Sequence, residues 1–200
     1  MHPPPLFASV TATLAVVINL ALQALTFIPG ISLSPYLIAP AVFASLLSFL
    51  SASGLVHHFL SMTPSIRTGD FLKDWGEVEK EKWRYQAKIF KAVTWPWRGV
   101  LLFLAAYALL LVVVYENRTH GATPTAGPRS FYLSRNGEYV RALSQQEYQL
   151  LQALNIRAWS AGLLLISVAS FVGTNLVYPT IAHETYTASK KWVRDLADSK

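Results

Sequence analysis

Three histidines have the residue type and the placement to ligate a haem or a metal. His57 and His58 are adjacent near the end of one long apolar stretch, and His183 follows another. Neutral imidazole is a common axial ligand of haem iron and a common ligand of divalent metals. The competing interpretation is that histidines at a helix end are half-solvated and bind nothing. We expect no resident cofactor or metal, with haem or bound lipid as the alternative.

The residue patterns that other kinds of enzyme catalysis use are not found in this sequence. The chain contains no cysteine, which excludes thiolate catalysis and zinc–thiolate sites. His183-Glu184 is not followed by the second histidine that a zinc-protease helix requires. Neither a glycine-rich phosphate loop nor a Ser-His-Asp pattern stands out, and all eleven carboxylates lie outside the long apolar stretches. We therefore expect no catalytic residues and no enzymatic activity.

The composition indicates a membrane protein. Of the 200 residues, 52% are hydrophobic and 14% are charged, and the mean hydropathy is +0.33. A soluble domain has roughly 25% charged residues, so this chain lacks the charge to cover a water-facing surface. So much apolar surface also excludes a disordered chain. The predicted class is an all-α membrane protein with four transmembrane helices, an interfacial amphipathic helix and a small extramembrane β-hairpin.

Four apolar stretches are long enough to cross a bilayer, which takes about 20 helical residues. They cover about residues 6–28, 33–60, 97–115 and 158–178. The first two are separated by a short turn at Pro29-Gly30 and should form a transmembrane hairpin within residues 1–60. Because backbone polar groups in lipid must be satisfied within the segment, all four stretches are predicted to be helices.

The distribution of basic residues predicts the orientation. Twelve of the seventeen Lys and Arg residues fall in the segments 61–98 and 179–200, and five fall between residues 116 and 157. By the positive-inside rule, both termini and the 61–96 loop face the cytoplasm, or a mitochondrial matrix. We expect a bacterial inner membrane, with the mitochondrial inner membrane as the alternative. The basic residues that give the net charge of +6 lie next to the membrane spans, so this charge does not indicate nucleic-acid binding.

The loop 61–96 is predicted to contain an amphipathic helix over about 75–93. Aromatic residues on one side and lysines on the other are typical of a helix in the headgroup layer of an anionic membrane. Docking on a soluble partner is the competing interpretation. The predicted membrane-surface residues are Trp75, Trp83, Lys88, Phe90, Lys91, Trp95 and Trp97.

The segment 116–157 is predicted to hold a loop up to Pro128, a hairpin over 131–143 and a helix starting at residue 145. Asn136-Gly137 between two alternating runs is the strongest short signal for a hairpin turn. Ser144 and Glu147 have the spacing of a capping box, and the helix should continue into the fourth span. We predict that this surface docks a partner through Phe131, Leu133, Tyr139, Tyr148, Leu151 and Leu154.

Small and polar residues are predicted to hold the bundle together, because lipid provides no hydrophobic drive for helix association. Amides are costly against lipid and should face other helices or a partner. The predicted helix-packing residues are Asn19, Gln23, Ala44, Ser48, Ala52, Gly162, Gly173 and Asn175.

These features favour a non-catalytic subunit, accessory factor or scaffold of a larger membrane complex, in contact with other membrane subunits and with lipid. Three hypotheses compete with this one. The chain is alternatively a haem-, quinone- or lipid-binding protein, an immunity-type inhibitor of a membrane-active partner, or a transporter. The transporter is the least favoured, because no ionisable side chain is predicted in mid-membrane.

Overall fold

The computed structural model describes residues 5–28, 36, 38–62, 87, 91–127 and 130–183, with the side chains of the second helix described as far as residue 55. Within these residues the chain is mostly helical and carries one small sheet. Four helices in the described part are long and apolar enough to cross a membrane. The predicted helical class and the four apolar helices are therefore confirmed.

Helices α1 (Leu6–Leu25) and α2 (Ile38–Met62) contain no Asp, Glu, Lys or Arg. Pro5 precedes the first turn of α1, and the N–H of Thr26 closes its last turn. Pro40 lies in the first turn of α2, where the missing N–H removes no helical hydrogen bond. The two helices pack against each other.

Helix α3 (Trp95–Thr119) has Pro96 in its first turn and ends in a left-handed residue, His120, with φ of 49°. Arg98 fixes the entry to the helix: its Nε donates to the Val93 carbonyl at 2.9 Å, and its guanidinium also donates to the Lys91 carbonyl at 3.2 Å. The helix extends beyond the predicted end at residue 115, because the chain keeps its helical hydrogen bonds until the positive φ of His120.

A three-stranded antiparallel sheet follows, formed by β1 (Thr123–Ala126), β2 (Phe131–Arg135) and β3 (Glu138–Leu143) in that order. Asn136 and Gly137 have φ of 53° and 86°, as the predicted hairpin turn requires. The expectation of an unstructured loop before residue 128 is wrong for β1, which pairs with β2. A proline in a four-residue strand is tolerated here because β1 is an edge strand.

Helix α4 (Gln145–Val172) begins with the predicted capping box: the Glu147 N–H donates to Ser144 Oγ at 3.1 Å, and the Ser144 N–H donates to Glu147 Oε2 at 3.0 Å. It continues through a π-helical turn (Gly173–Val177), so that the whole apolar helix covers Gln145–His183. At 1.5 Å per residue it is roughly 58 Å long, nearly twice the thickness of a bilayer core.

Helix α4 is the central element, because α1, α2 and α3 all pack against it. Two apolar clusters lie between the helices, and a third lies between the sheet and the start of α4. The clusters are centred on Val168, Val172 and Val177, on Leu22, Ala41 and Ile156, and on Leu133, Leu143 and Leu151. The sheet is therefore attached to the end of the long helix by a core of its own.

Candidate functional site

A row of hydrogen-bonded polar side chains runs along α1 through the interior of the bundle, and we call it the polar seam. Its members lie on all four helices or in the turn after α1. They are Ser9, Asn19, Gln23, Thr26, Ser45, Tyr107, Arg157, Ser160, Ser167 and Asn175. Polar groups that are paired across helices stabilise a membrane bundle, in which they otherwise face hydrocarbon.

Asn19 is fully buried and joins three helices. Its Nδ2 lies 2.9 Å from Ser45 Oγ on α2, 3.1 Å from Ser167 Oγ on α4 and 2.8 Å from the Ala15 carbonyl. Ser45 and Ser167 donate their own hydroxyl protons to carbonyls four residues earlier in their helices. Both serines therefore present lone pairs to Asn19, whose two N–H protons are shared among the two hydroxyl oxygens and the Ala15 carbonyl.

Gln23 forms the next crossing, one turn further along α1. Its Nε2 donates to the hydroxyl oxygen of Tyr107 on α3 at 2.6 Å, and its Oε1 accepts from Ser160 Oγ on α4. The nitrogen and the oxygen of the Gln23 amide are thus each paired with another helix, and α1 is linked to α3 by a side-chain hydrogen bond.

Arg157 ties α4 to the end of α1. Its guanidinium donates to the carbonyl oxygen and to the Oγ1 of Thr26, the latter from Nε at 3.3 Å. The same group lies 4.4 Å from the centroid of the Phe27 ring, within the range of a cation–π contact. A positive charge at the C-terminal end of a helix also interacts favourably with the helix dipole.

Asn175 closes the seam at the other end of α1, where its Oδ1 accepts from Ser9 Oγ at 2.6 Å. It lies in the π-helical turn, and its Nδ2 donates to the Phe171 carbonyl at 3.2 Å. Arg157 is the charged member of the seam, and the other members are hydroxyls and amides. These groups can hold helices together or hydrogen-bond a neutral ligand.

The other predicted helix-packing residues divide into two groups. Ser48 is fully buried, whereas Ala44 and Ala52 are half-buried, and Ala41, Ser45 and Ser48 form the buried face of α2. A Cβ added to Gly162 or Gly173 would meet nothing within 4 Å. Neither glycine is therefore a point of close helix approach in the described residues, which corrects the role predicted for them.

Several residues that were predicted to bind a partner lie instead in the core beneath the sheet. Leu133 and Leu151 are buried there, and Phe131 stacks on Tyr148 with ring centroids 4.6 Å apart. Leu154 is half-buried one turn further along α4. The short sheet buries these side chains because an isolated hairpin lacks a core of its own. The surface predicted for a partner is thereby reduced.

Tyr139 remains exposed, on the face of the sheet that points away from α4. The strand pairing places Thr125 beside Tyr132 and Ser134 beside Tyr139, and the Tyr132 and Tyr139 rings lie 5.8 Å apart. We call these four residues the outer sheet face. Tyrosine is enriched at protein interfaces, and two tyrosine rings lie on this face, whereas Ser134 is buried with its hydroxyl 2.7 Å from that of Thr125.

An exposed ion pair connects strand β3 of the sheet to the first turn of α4. The guanidinium of Arg141 lies 3.4 Å from Glu147 Oε1, and both side chains are about half exposed. The hydrogen bond from the Ser144 backbone N–H lowers the pKa of the Glu147 carboxyl, and Arg141 lowers it further. The Glu147 carboxylate is therefore ionised at neutral pH and accepts the capping hydrogen bond. This interaction is weakened only as the pH falls through the lowered pKa and the carboxyl is protonated.

The histidines do not form a described site. His57 and His58 lie in α2, but their side chains are outside the described residues, and His183 is exposed at the end of the α4 helix. Among the residues that the structure describes, no group of three or more His, Asp or Glu is placed to hold a metal ion. Ligation by these histidines stays a prediction.

Of the predicted membrane-surface residues, Trp75, Trp83, Lys88 and Phe90 lie outside the described residues, as does most of the predicted helix 75–93. Lys91 and Trp95 are exposed beside the start of α3. Trp97 is half-buried, and its ring lies 6.1 Å from that of Phe171 on α4. Trp97 thus contributes to packing between α3 and α4.

An open apolar groove of about 520 Å³ lies on the outside of the bundle between α2 and α4. It is lined by Ile38, Ala39, Val42, Phe43, Leu46, Asn155 and Trp159. Its volume falls within the roughly 300–1,000 Å³ of small-molecule pockets, and Asn155 supplies a polar group at an otherwise apolar wall. The sequence carried no signal for it, because its lining comes from two distant segments.

Comparison with protein-family models, with curated proteins and with solved structures returned no match for this chain.

Proposed function

We propose that this chain is a non-catalytic integral membrane subunit that holds a partner protein through its outer sheet face. The observation that carries the proposal is the attachment of the sheet to α4 by the buried residues Leu133, Leu143 and Leu151. This core fixes the exposed Tyr139 in one orientation before any partner arrives. Preorganisation of this kind lowers the entropic cost of binding.

The membrane placement is part of the proposal. Four apolar helices support insertion into a bilayer, and α4 is long enough to pass through it and to present the sheet beyond it. The distribution of basic residues supports both termini on the cytoplasmic or matrix side and the sheet on the opposite side, and we place the chain in a bacterial inner membrane, with the mitochondrial inner membrane as the alternative. The partner is then a membrane protein with a domain on that side.

A photo-crosslinking amino acid at position 139 tests this proposal. We expect a specific adduct larger than the 22.2 kDa chain when the crosslinker replaces Tyr139. Glu138 is the matched control, because it is exposed on the same strand but points to the other face of the sheet. Truncation of an aromatic hot-spot residue costs about 2 kcal/mol, so Tyr139→Ala should weaken the affinity for the partner about thirty-fold.

Two results would contradict the proposal. One is an equal yield of adducts from positions 138 and 139. The other is a Tyr139→Ala variant that retains all of its complex on native gels while the helix content is unchanged.

A lipid-binding role is the second candidate, and the groove between α2 and α4 supports it. The side chains of α2 that are small and buried already face α1 and α4, whereas the groove is lined mainly by bulky aliphatic and aromatic residues. Helix interfaces in membranes favour small residues, so a lipid tail suits this groove better than another helix.

Trp159→Ala should therefore reduce the amount of lipid that co-purifies in mild detergent at least two-fold, as measured by mass spectrometry. Trp159 is 59% exposed and lines the groove, whereas Phe103 is 68% exposed on α3, away from it. Phe103→Ala is the control and should leave the bound lipid unchanged. An equal loss of lipid in the two variants would refute a specific site.

A further inference from the structure

Four buried side-chain oxygen atoms have no hydrogen-bond partner among the described residues, and one of them, Tyr115 Oη, lies on α3. The other three lie on the helices that Asn19 joins, and they are Asn19 Oδ1, Ser48 Oγ and Thr174 Oγ1. Asn19 and Ser48 are 0% exposed and Thr174 is 1% exposed. A buried polar group without a partner is destabilising and is rare in folded proteins, so each of these oxygens requires an explanation.

The three oxygens belong to helices that meet along the polar seam. Asn19 bonds directly to Ser45 and Ser167. Ser48 lies about one helical turn from Ser45 on α2, and Thr174 lies about two turns from Ser167 along α4. The unpaired oxygens therefore continue the row of polar groups rather than lying at scattered positions.

The π-helical turn Gly173–Val177 contains Thr174. Such turns are wider than an α-helical turn and are frequent at functional sites. A wide turn beside a buried, unpaired hydroxyl favours a small polar molecule as the missing partner.

The chemistry of the three oxygens selects the molecule. Neutral oxygens coordinate cations in some membrane proteins, but a hard cation takes about six or more oxygens at one point, and these three oxygens lie at different levels along the helices. A water molecule donates to an amide oxygen and both donates to and accepts from a hydroxyl group. We infer that water molecules bound inside the bundle complete the hydrogen bonds of Asn19 Oδ1, Ser48 Oγ and Thr174 Oγ1.

Removal of one hydroxyl tests the inference by the sign of its effect. If Ser48 binds water, Ser48→Ala breaks a hydrogen bond and should lower the midpoint of thermal denaturation by about 2–4 °C. An unpaired hydroxyl predicts the reverse, because its removal relieves the cost of burial. Thr174→Val should behave in the same way as Ser48→Ala. A midpoint that is unchanged or raised in both variants would overturn the inference.

Ser51→Ala is the matched control, because the Ser51 hydroxyl donates to the Leu47 carbonyl of its own helix at 2.7 Å. Its midpoint should lie between that of Ser48→Ala and that of the wild type. An experimental structure at a resolution that shows water should have density within hydrogen-bond distance of Ser48 Oγ. A wild-type midpoint that rises with sodium but not with choline would identify a cation and overturn the assignment to water.

Discussion

Replacement of Asn19 by leucine should lower the free energy of unfolding by roughly 2 kcal/mol. Leucine has a similar size, so little space is left empty, but the contacts of Nδ2 with Ser45 and Ser167 are lost. Interhelical hydrogen bonds in membranes contribute about 0.6–2 kcal/mol each. The serines keep the bonds that they donate within their own helices, which limits the loss.

Reversible unfolding in mixed micelles measures this change. Thr13→Val provides the control, because the Thr13 hydroxyl is exposed on the same helix and donates to the Ser9 carbonyl without crossing to a neighbour. Its effect should stay below about 0.5 kcal/mol. Equal losses in the two variants would mean that the buried amide contributes nothing beyond an ordinary polar residue.

The burial of Asn19 follows from physics that is readable in the sequence, whereas the identity of its partners does not. An amide in an apolar helix avoids lipid, so an inward position is expected. Helix α2, however, offers two neighbouring rows of small residues, one through Ala44 and Ser48 and one through Ala41 and Ser45. Lipid and protein interiors are equally apolar, so hydrophobic periodicity does not fix the rotation of such a helix.

Local signals predicted the start of α4 and the β2–β3 turn, because a capping box and an Asn-Gly turn depend on only a few consecutive residues. Strand β1 was not predicted, since its four residues gain order from pairing with β2 rather than from their own pattern. The same limit applies to Leu133 and Leu151. The periodic spacing of apolar residues in a strand or a helix predicts that such residues are buried, but it does not show whether this chain or a partner buries them.

The π-helical turn has no recognised sequence signal. Gly173 has an ordinary helical φ of –58°, so the backbone geometry does not require glycine there. Two polar residues lie in this turn. Asn175 accepts a hydrogen bond from Ser9, and Thr174 is buried without a described partner. A continuous apolar helix was the natural expectation for this segment.

Arg157 gives the other large expected effect. Arg157→Leu should lower the free energy of unfolding by about 2–4 kcal/mol, because hydrogen bonds to a charged group contribute roughly 1.5–3 kcal/mol and a cation–π contact about 0.5–2 kcal/mol. The loss should appear as earlier separation of α1 from α4, since Thr26 and Phe27 terminate α1. Reversible unfolding, combined with a fluorescence distance between the two helices, measures both changes.

Lysine at position 157 separates two roles that the arginine combines. The sequence assigns Arg157 to the basic residues that set orientation, and Arg157→Lys keeps that charge. A lysine ammonium, however, lacks the planar fork that reaches the carbonyl and the hydroxyl of Thr26 together. Arg157→Lys should therefore recover less than half of the lost stability while the orientation stays unchanged in both variants. Full recovery by lysine would show that charge alone matters, and that the contact with Thr26 does not hold α1 in place.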